Sequence, residues 1–431
     1  MSLPIVTLKS EEKWDCHQCG VCCHGSVVPL NLEDAVRLQS QQWAKEPGFE
    51  NMRLTVRDRA AASSLRLAHR DDGACVFLSE KGLCHIHSKF GLAGKPSVCQ
   101  TFPLQLISHE RNAVLTIRRA CPSAAADLGE TVATRLPMVK KLVREGRLKA
   151  EAHAPPPFKK RENRPWRTIQ TVLEEAGQLL RDPRYPPVRR IVHVLQYASH
   201  LEAAQTRRME DGQIIELART LRELEPEESK HFFAEQRPPK FYSRILLRRT
   251  AVICGRLHPE CRHRASWKAR LDLTQLAWKV VRGRGSTPVF NDVFPKSTFE
   301  ALEKPAGLKT AEVYAPLTRF IETNSESYLY ALANRGQWSV IESMRGLALL
   351  FPVGMWLFRL QSYGREPKVD DMLKVVVMLD RSQGYSPLSG FAHRQLIATL
   401  RVNEELERLV VWCVRDGRHN DHEGHSTLLD E

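Results

Sequence analysis

The sequence predicts an α+β protein in which a small, metal-knitted, cysteine-rich domain with short hairpins and helices precedes a larger, mainly α-helical domain. Two observations support this division. Eight of the eleven cysteines lie before residue 122, where short apolar segments alternate with turn residues. After residue 165, apolar residues recur at spacings of three and four, which is the period of amphipathic helices.

The domain boundaries follow shifts in composition. The connector contains three consecutive prolines, Pro155 to Pro157, and such a run cannot continue a helix because proline has no amide hydrogen. We predict four segments: a cysteine-cluster metal-binding domain over 1–125, a helix and proline-rich connector over 126–165, a mainly helical domain over 166–413, and a polar, disordered tail over 414–431.

Charge and hydropathy narrow the class of protein. The net charge of +14 lies mostly in residues 126–413, but no basic motif interleaved with aromatic residues occurs there, so a nucleic-acid partner is not expected. The longest uncharged apolar stretch, residues 346–358, falls short of the roughly 18 to 20 residues of a membrane span. The first residues do not have the pattern of a secretory signal. We therefore expect a cytoplasmic protein without a membrane span, and the sequence does not predict its oligomeric state.

Within the cysteine region, local patterns predict three elements. Asn31 is a candidate N-cap for a helix whose first turn is acidic. The segment ACVFLSEKGLCHIH predicts two short strands whose symmetric pairing sets Cys75 opposite Cys84. The segment LQLISHERNAVLTIRRAC predicts a second hairpin that ends at Cys121.

The segment CHQCGVCC, residues 16–23, places four cysteines in eight positions. In a reducing cytosol such a cluster favours a metal site over disulfides, and no isolated Cys/His pair indicates a nucleophile. A C-x2-C spacing lets two thiolates reach one ion across a tight loop, and Gly20 gives the backbone the freedom for that turn. The predicted metal ligands are the cysteines of this region: Cys16, Cys19, Cys22, Cys23, Cys75, Cys84, Cys99 and Cys121.

The spacing leaves the identity of the metal open. Cys16, Cys19 and Cys22 match the run that holds three corners of an iron–sulfur cluster, and Cys121, which precedes a proline, is a candidate fourth ligand. Eight thiolates equally suit two four-thiolate zinc sites, or one zinc site with spare thiols. Cys23 adjoins Cys22 and points in a different direction, so the two can serve different ions. Three further cysteines are expected to be structural: Cys254, Cys261 and Cys413.

These blocks resemble the YkgJ-type cysteine-cluster family, which is described as zinc- or iron-chelating. The segments CHQCGVCC, CVFLSEKGLCHIH and GKPSVCQTFPLQL follow the order of its motifs: C-x2-C-x2-C-C, Cys-x-Phe-Leu, Leu-Cys-x-Ile and Pro-x-x-Cys-x-x-Phe-Pro. The resemblance covers about residues 14–122, and it implies that the cysteines chelate zinc or iron.

One branch of this family, the flagellin lysine N-methylases, has a helical second half to which IETNSESYLYALANRGQW and VVVMLDRSQGYSPL are similar. This resemblance implies methylation of a lysine in a flagellin-like protein substrate, with S-adenosylmethionine as the methyl donor. No glycine-rich loop for the donor is evident in the sequence. The alternative is a non-enzymatic metal-binding, redox or scaffold protein.

No catalytic residue and no donor-binding residue is predicted. Four polar residues of the helical half come into question only through the methylase resemblance. We expect them to be solvent-facing residues on helices: Glu322, Glu326, Tyr328 and Asp380.

Overall fold

A computed structural model describes most of the chain. The described residues are 3–57, 65–149, 153–235, 237–258, 267–287, 293–305, 307, 311–332, 338–383, 388 and 390–415, with the backbone alone for 267–274. Cys261 and residues 416–431 of the predicted tail lie outside them.

The cysteine region contains two small sheets and several short helices. In one sheet, β1 pairs in parallel with β6, and β6 pairs antiparallel with β5; in the other, β4 lies between β2 and β3 in antiparallel order. The strands are β1 (Ile5–Thr7), β2 (Pro29–Leu30), β3 (Thr55–Arg57), β4 (Leu65–Leu67), β5 (Leu104–Ser108) and β6 (Ala113–Ile117). The helices of this region are α1 (Leu32–Ser40), α2 (His85–Phe90), α3 (Ser97–Thr101) and α4 (Pro122–Ala125), and α5 (Leu136–Arg144) follows in the connector segment.

Two of the three predicted local elements are confirmed. Asn31 caps α1, and its side chain accepts a hydrogen bond from the backbone amide of Asp34 at 2.7 Å. The predicted second hairpin is β5–β6, in which Leu106 pairs with Leu115. Its inward side chains form an apolar cluster that includes Cys121.

The rest of the described chain is a helical body. Its helices are α6 (Trp166–Arg181), α7 (Pro187–Ala203), α8 (Asp211–Glu228), α9 (His231–Glu235), α10 (Phe241–Gly255), α11 (Trp267–Arg282), α12 (Phe299–Leu302), α13 (Ala311–Glu326), α14 (Leu329–Leu332), α15 (Val340–Gln361), α16 (Val369–Ser382), α17 (Phe391–Arg401) and α18 (Glu405–Trp412). They share one large apolar core, so the predicted α+β class is confirmed.

Helix α15 is the central helix of this core. It begins at a capping box in which Ser339 and Glu342 exchange hydrogen bonds, and it continues through Pro352. Its 22 residues exceed the predicted 13-residue apolar stretch and are long and apolar enough to cross a membrane. However, 83% of its most apolar window is buried within the protein, which is typical of a core helix.

The proline-rich connector lies against the helical body. The Pro157 carbonyl accepts a hydrogen bond from the Val340 amide at 2.8 Å, and the Trp166 indole donates to the His153 carbonyl at 3.0 Å. The first contact fixes the connector to the start of α15, and the second fixes it to the start of α6. Pro155, Pro156 and Pro157 lie in a non-helical segment, as predicted. This segment is attached to the helical body by the two hydrogen bonds.

The C-terminal end of α16 joins the helical body to the cysteine region. The carboxylate of Asp380, which is 1% exposed, accepts hydrogen bonds from Arg118 Nε at 2.9 Å and from the Ala120 amide at 2.6 Å. The next residue, Arg381, donates to the carbonyls of Val21 at 2.9 Å and His24 at 3.2 Å. Two consecutive side chains therefore hold both the CHQCGVCC segment and the end of β6 against one helix.

We predict that Asp380→Asn weakens this junction. The substitution removes the negative charge that Arg118 pairs with, so the hydrogen bonds to residue 380 are no longer between opposite charges. The expected cost is about 2 kcal/mol, or roughly a thirtyfold increase in local opening. Hydrogen exchange measured by mass spectrometry should show faster exchange in peptides that cover residues 20–24 and 118–121. Asp370→Asn, at the exposed start of the same helix, is the matched control. Equal exchange in both variants would contradict the role given to Asp380.

Candidate metal centre

The first cysteine segment is a loop that ends in one tight turn. Residues Val21–Cys23 form a 3-10 turn, closed by a hydrogen bond from the Cys23 amide to the Gly20 carbonyl at 2.9 Å. Cys16 and Cys19, which precede the turn, are exposed. The first part of the segment is thus open to solvent, whereas Cys22 and Cys23 at its end are partly buried.

Gly20 allows this turn, as the sequence predicts. Its φ angle is +71°, a conformation that costs other residues roughly 1 to 2 kcal/mol. A Cβ atom at this position would also lie 3.0 Å from the Gly82 carbonyl oxygen. The absence of a side chain therefore lets the first cysteine loop lie directly against the turn that precedes Cys84.

The segment around Cys75 and Cys84 lies beside the first loop, but the predicted hairpin is wrong. The Cys75 amide donates to the Cys23 carbonyl at 2.8 Å, which sets these two cysteines side by side. Cys84 pairs with Leu78, three positions away from the predicted partner Cys75. The register differs because Leu78 closes a turn onto the Cys75 carbonyl, and because α2 begins directly after Cys84.

The remaining two cysteines are positioned by short helices. Cys99 lies on α3, which is attached to α1 because Asp34 accepts hydrogen bonds from both the amide and the hydroxyl of Ser97, at 3.0 and 2.9 Å. Cys121 is the N-cap residue of α4. Beside it, the Ser123 hydroxyl contacts the His17 ring at 2.9 Å and so links this helix to the first cysteine loop.

Four of these cysteines share one apolar cluster. Cys75 is a buried member of it, and three others pack against it: Cys23, Cys84 and Cys99. The sulfur atoms of Cys22 and Cys23 are 4.0 Å apart. Two thiolates bound to one tetrahedral zinc at about 2.3 Å lie roughly 3.8 Å apart. The distance between Cys22 and Cys23 is therefore compatible with both binding one ion, in addition to the predicted alternative that each binds a different ion.

Burial and mutual interaction raise the pKa values of three of these thiols, those of Cys22, Cys75 and Cys99. A hydrogen bond with Cys23, followed by burial, raises the pKa of Cys22 far above its ordinary value. Burial, together with smaller contributions from negative charge on Cys84 and Cys22, raises the pKa of Cys75 to about 11. Burial raises the pKa of Cys99, and negative charge on Cys75 makes the second-largest contribution to this increase. The thiols are therefore close enough to interact, and a bound cation would compensate the charge of their thiolates.

Cys121 interacts with this group from a neighbouring cluster. Burial raises the pKa of its thiol, and negative charge on Cys22 acts in the same direction. Two cations oppose the shift at Cys22: Lys95 and Arg381. The structure thus brings six of the eight predicted ligands within electrostatic reach of one another, directly or through Cys22, and leaves Cys16 and Cys19 exposed.

The donor chemistry of this group fits zinc or iron, because both metals bind thiolate sulfur. The arrangement is not a closed coordination shell. In the part of the chain that the structure describes, no three histidine, cysteine, aspartate or glutamate side chains converge on a common point. Ligation of an ion would therefore require movement of the cysteine loops, and the role of each cysteine as a ligand stays a prediction.

The polar residues that we expected to face solvent are engaged within the protein. Asp380 lies at the junction described above, and Tyr328, which is 7% exposed, donates to Glu174 at 3.1 Å. Glu322 forms an ion pair with an arginine of α7 at 3.0 Å. Glu326 accepts hydrogen bonds from the amide and the hydroxyl of a serine that precedes the first cysteine loop. The expectation of solvent-facing residues is therefore wrong for Asp380 and Tyr328, which are buried.

Sequence reasoning missed Arg381, which donates to the two backbone carbonyls that flank Cys22 and Cys23. About 360 residues separate it from the first cysteine loop. No local pattern marks it, because a single arginine at the end of an amphipathic helix is ordinary.

We predict that Gly20→Ala disturbs the centre more than Gly25→Ala does. Both glycines have positive φ angles, but a Cβ at Gly25 meets nothing within 4 Å. The two variants share a backbone cost of about 1 kcal/mol, and Gly20→Ala adds about 1 kcal/mol from its contact with Gly82. Urea unfolding and metal content per chain measure the difference. Equal losses in the two variants would show that the contact with Gly82 is unimportant.

A comparison with known protein families found a match in this region. Residues 15–122 match a family that is described as "CxxCxxCC: Putative zinc- or iron-chelating domain". The matched segment contains all eight predicted ligands and covers about a quarter of the chain. No curated protein and no solved structure matches the sequence. Residues 15–122 of this chain are therefore a cysteine-cluster domain of the zinc- or iron-chelating CxxCxxCC family.

Proposed function

We propose that this protein holds a zinc or iron centre in its cysteine-cluster domain and that the helical body responds to the state of that centre. The observation that carries the proposal is the group of interacting thiols around Cys22, Cys23 and Cys75. Buried thiols that interact with one another, without a disulfide between them, are typical of metal ligands in a reducing compartment. On this view the protein functions in the cytoplasm.

In this proposal, the four thiolates that hold the ion come from five cysteines that interact or pack together: Cys22, Cys23, Cys75, Cys84 and Cys99. When bound, zinc would supply a cross-link between loops, and an iron–sulfur cluster would also supply electron transfer. The chain contributes the positioning. The amide of Cys75 fixes it beside Cys23, and the contact of Gly20 with the following turn brings the first loop towards Cys84.

Arg381 makes the helical body sensitive to this centre. Its guanidinium holds the carbonyls on either side of the adjacent cysteines, and its pKa is lowered by burial. A change of charge or position at Cys22 would alter these hydrogen bonds directly. The neighbouring Asp380 would pass the same displacement to the strand that leads to Cys121. A scaffold or redox role, in which the body presents the centre to a partner, follows from this contact.

Lysine N-methylation is the second candidate, and one observation favours it. The two segments that resemble the methylases include the C-terminal ends of α13 and α16. In each segment, a residue of that helix end contacts the cysteine region. Glu326 contacts Ser10, and Asp380 contacts Arg118. The segments also contact each other, because Gln383 donates to Asn324 at 2.6 Å. The resemblance thus concentrates where the two parts of the protein meet.

The metal proposal predicts the metal content of protein purified without oxygen. Mass spectrometry should find zinc or iron at about one or two ions per chain, and Cys75→Ala should lower the metal affinity at least tenfold because it removes a buried donor from the thiol group. Cys413→Ala is the control, since Cys413 is equally buried but its sulfur donates to a helix carbonyl in the body.

Iron with matching acid-labile sulfide and an absorption band at roughly 400 nm would identify an iron–sulfur centre, whereas colourless protein with zinc would identify a structural or Lewis-acid site. Absence of both metals from the wild-type protein would contradict the proposal. So would equal metal affinity in the two alanine variants.

The methylase candidate predicts that metal-loaded protein binds S-adenosylmethionine and methylates lysines of a flagellin-like protein. Each added methyl group raises the mass of that protein by about 14 Da. Calorimetry with S-adenosylmethionine and mass spectrometry of the incubated flagellin measure the two effects. Binding without methyl transfer would leave the donor without a demonstrated substrate and would count against flagellin. No binding to metal-loaded protein would reject the methylase candidate and leave the metal proposal standing.

A further inference from the structure

A cleft of about 550 Å³ lies between the sheet of β1, β5 and β6 and the helical body. Its walls come from β1, from the β5–β6 turn, and from helices α6 and α13. This volume suits a small organic molecule. None of the eight predicted metal ligands lines it.

The inner wall of the cleft carries polar groups without partners. Nη1 of Arg181 is buried and has no hydrogen-bond partner, and within the described part of the chain this arginine forms no ion pair. The hydroxyl of Ser325, a residue that is 1% exposed, also has no partner. Neither ring nitrogen of His109, which is 8% exposed, has one. Leaving such groups unpaired costs free energy, which a bound ligand would recover.

Gly177 brings two of these groups together. It lies in the middle of α6, where glycine costs helix stability relative to alanine. A Cβ atom there would lie 3.1 Å from both terminal nitrogens of Arg181 and 3.3 Å from the Ser325 hydroxyl. The missing side chain therefore leaves room for the guanidinium to lie along its own helix and beside Ser325. This arrangement gives a physical reason for an otherwise unfavourable residue.

The charges around the cleft favour an anion. The lining holds three carboxylates, and each already has a partner. Glu174 accepts from Gln170 and Tyr328, Glu326 accepts from Ser10, and Glu110 lies 3.9 Å from Nε of Arg111. Glu322 is within electrostatic reach of Arg181 but is ion-paired with another arginine. The cationic side chains at the rim are Lys9, Arg111 and Arg167. Together with Arg181, the lining therefore has four cations against three carboxylates.

We propose that this cleft binds a small organic molecule through a terminal oxyanion, a phosphate or a carboxylate, which Arg181 Nη1 and the Ser325 hydroxyl hold. Arginine and hydroxyl donors are the groups that recognise such oxyanions. The His109 ring, which lies edge-on to Tyr328 with centroids 4.8 Å apart, offers one further donor or acceptor to the body of the ligand. The site is independent of the metal centre.

Isothermal titration calorimetry of the full-length protein tests this proposal with inorganic phosphate and with acetate, each against chloride at constant ionic strength. We expect wild-type protein to bind at least one of the two anions, and the anion that binds more tightly identifies the head group. Arg181→Gln should weaken that binding at least tenfold. Arg184→Gln is the matched control, because Arg184 is exposed, pairs with Asp182 and does not line the cleft.

Gly177→Ala provides a second test that does not remove a charge. The added methyl group should displace the guanidinium and the Ser325 hydroxyl and weaken anion binding several-fold, while the helix itself is favoured by alanine. This variant decides the question if Arg181→Gln fails to fold, as judged by circular dichroism. The proposal is overturned if wild-type protein binds neither anion, or if folded Arg181→Gln or Gly177→Ala binds as tightly as Arg184→Gln does.

Discussion

The attachment of the cysteine-cluster domain to the helical body depends on the hydrogen bonds that the buried carboxylate of Asp380 accepts. This carboxylate accepts hydrogen bonds from Arg118 and from the Ala120 amide, at the point where β6 leads to Cys121. A carboxylate that is 1% exposed is stable only when charged and neutral donors satisfy it. The adjacent Arg381 extends the same contact to the turn that contains Cys22 and Cys23. Both ends of the cysteine-cluster domain are thus fixed to one helix.

This arrangement suggests why a small cysteine domain belongs with a much larger helical body. The domain has short strands and short helices, and four of its cysteines lie in or against one of its apolar clusters. We infer that a bound ion and the contact with α16 together stabilise it. Metal binding and docking would then reinforce each other, because Arg381, which holds the carbonyls of Val21 and His24, belongs to the body.

Sequence reasoning predicted what is local and missed what is distant. The cap at Asn31, the β5–β6 hairpin, the left-handed Gly20 and the helical second half all follow from short-range rules, and the structure bears them out. The pairing of Cys75 with Cys84 was wrong, because symmetry about a turn ignores the helix that begins after Cys84. The roles of Asp380 and Arg381 depend on contacts between residues that are 260 or more positions apart, and no local sequence pattern indicates such contacts.

X-ray absorption spectroscopy at the zinc or iron edge of the full-length protein tests the central claim most directly, because it identifies the atoms bound to the metal. The account predicts a first shell dominated by sulfur at about 2.3 Å, as expected for cysteine thiolates. A shell that contains only nitrogen and oxygen would place the metal elsewhere and would contradict a thiolate centre in this domain.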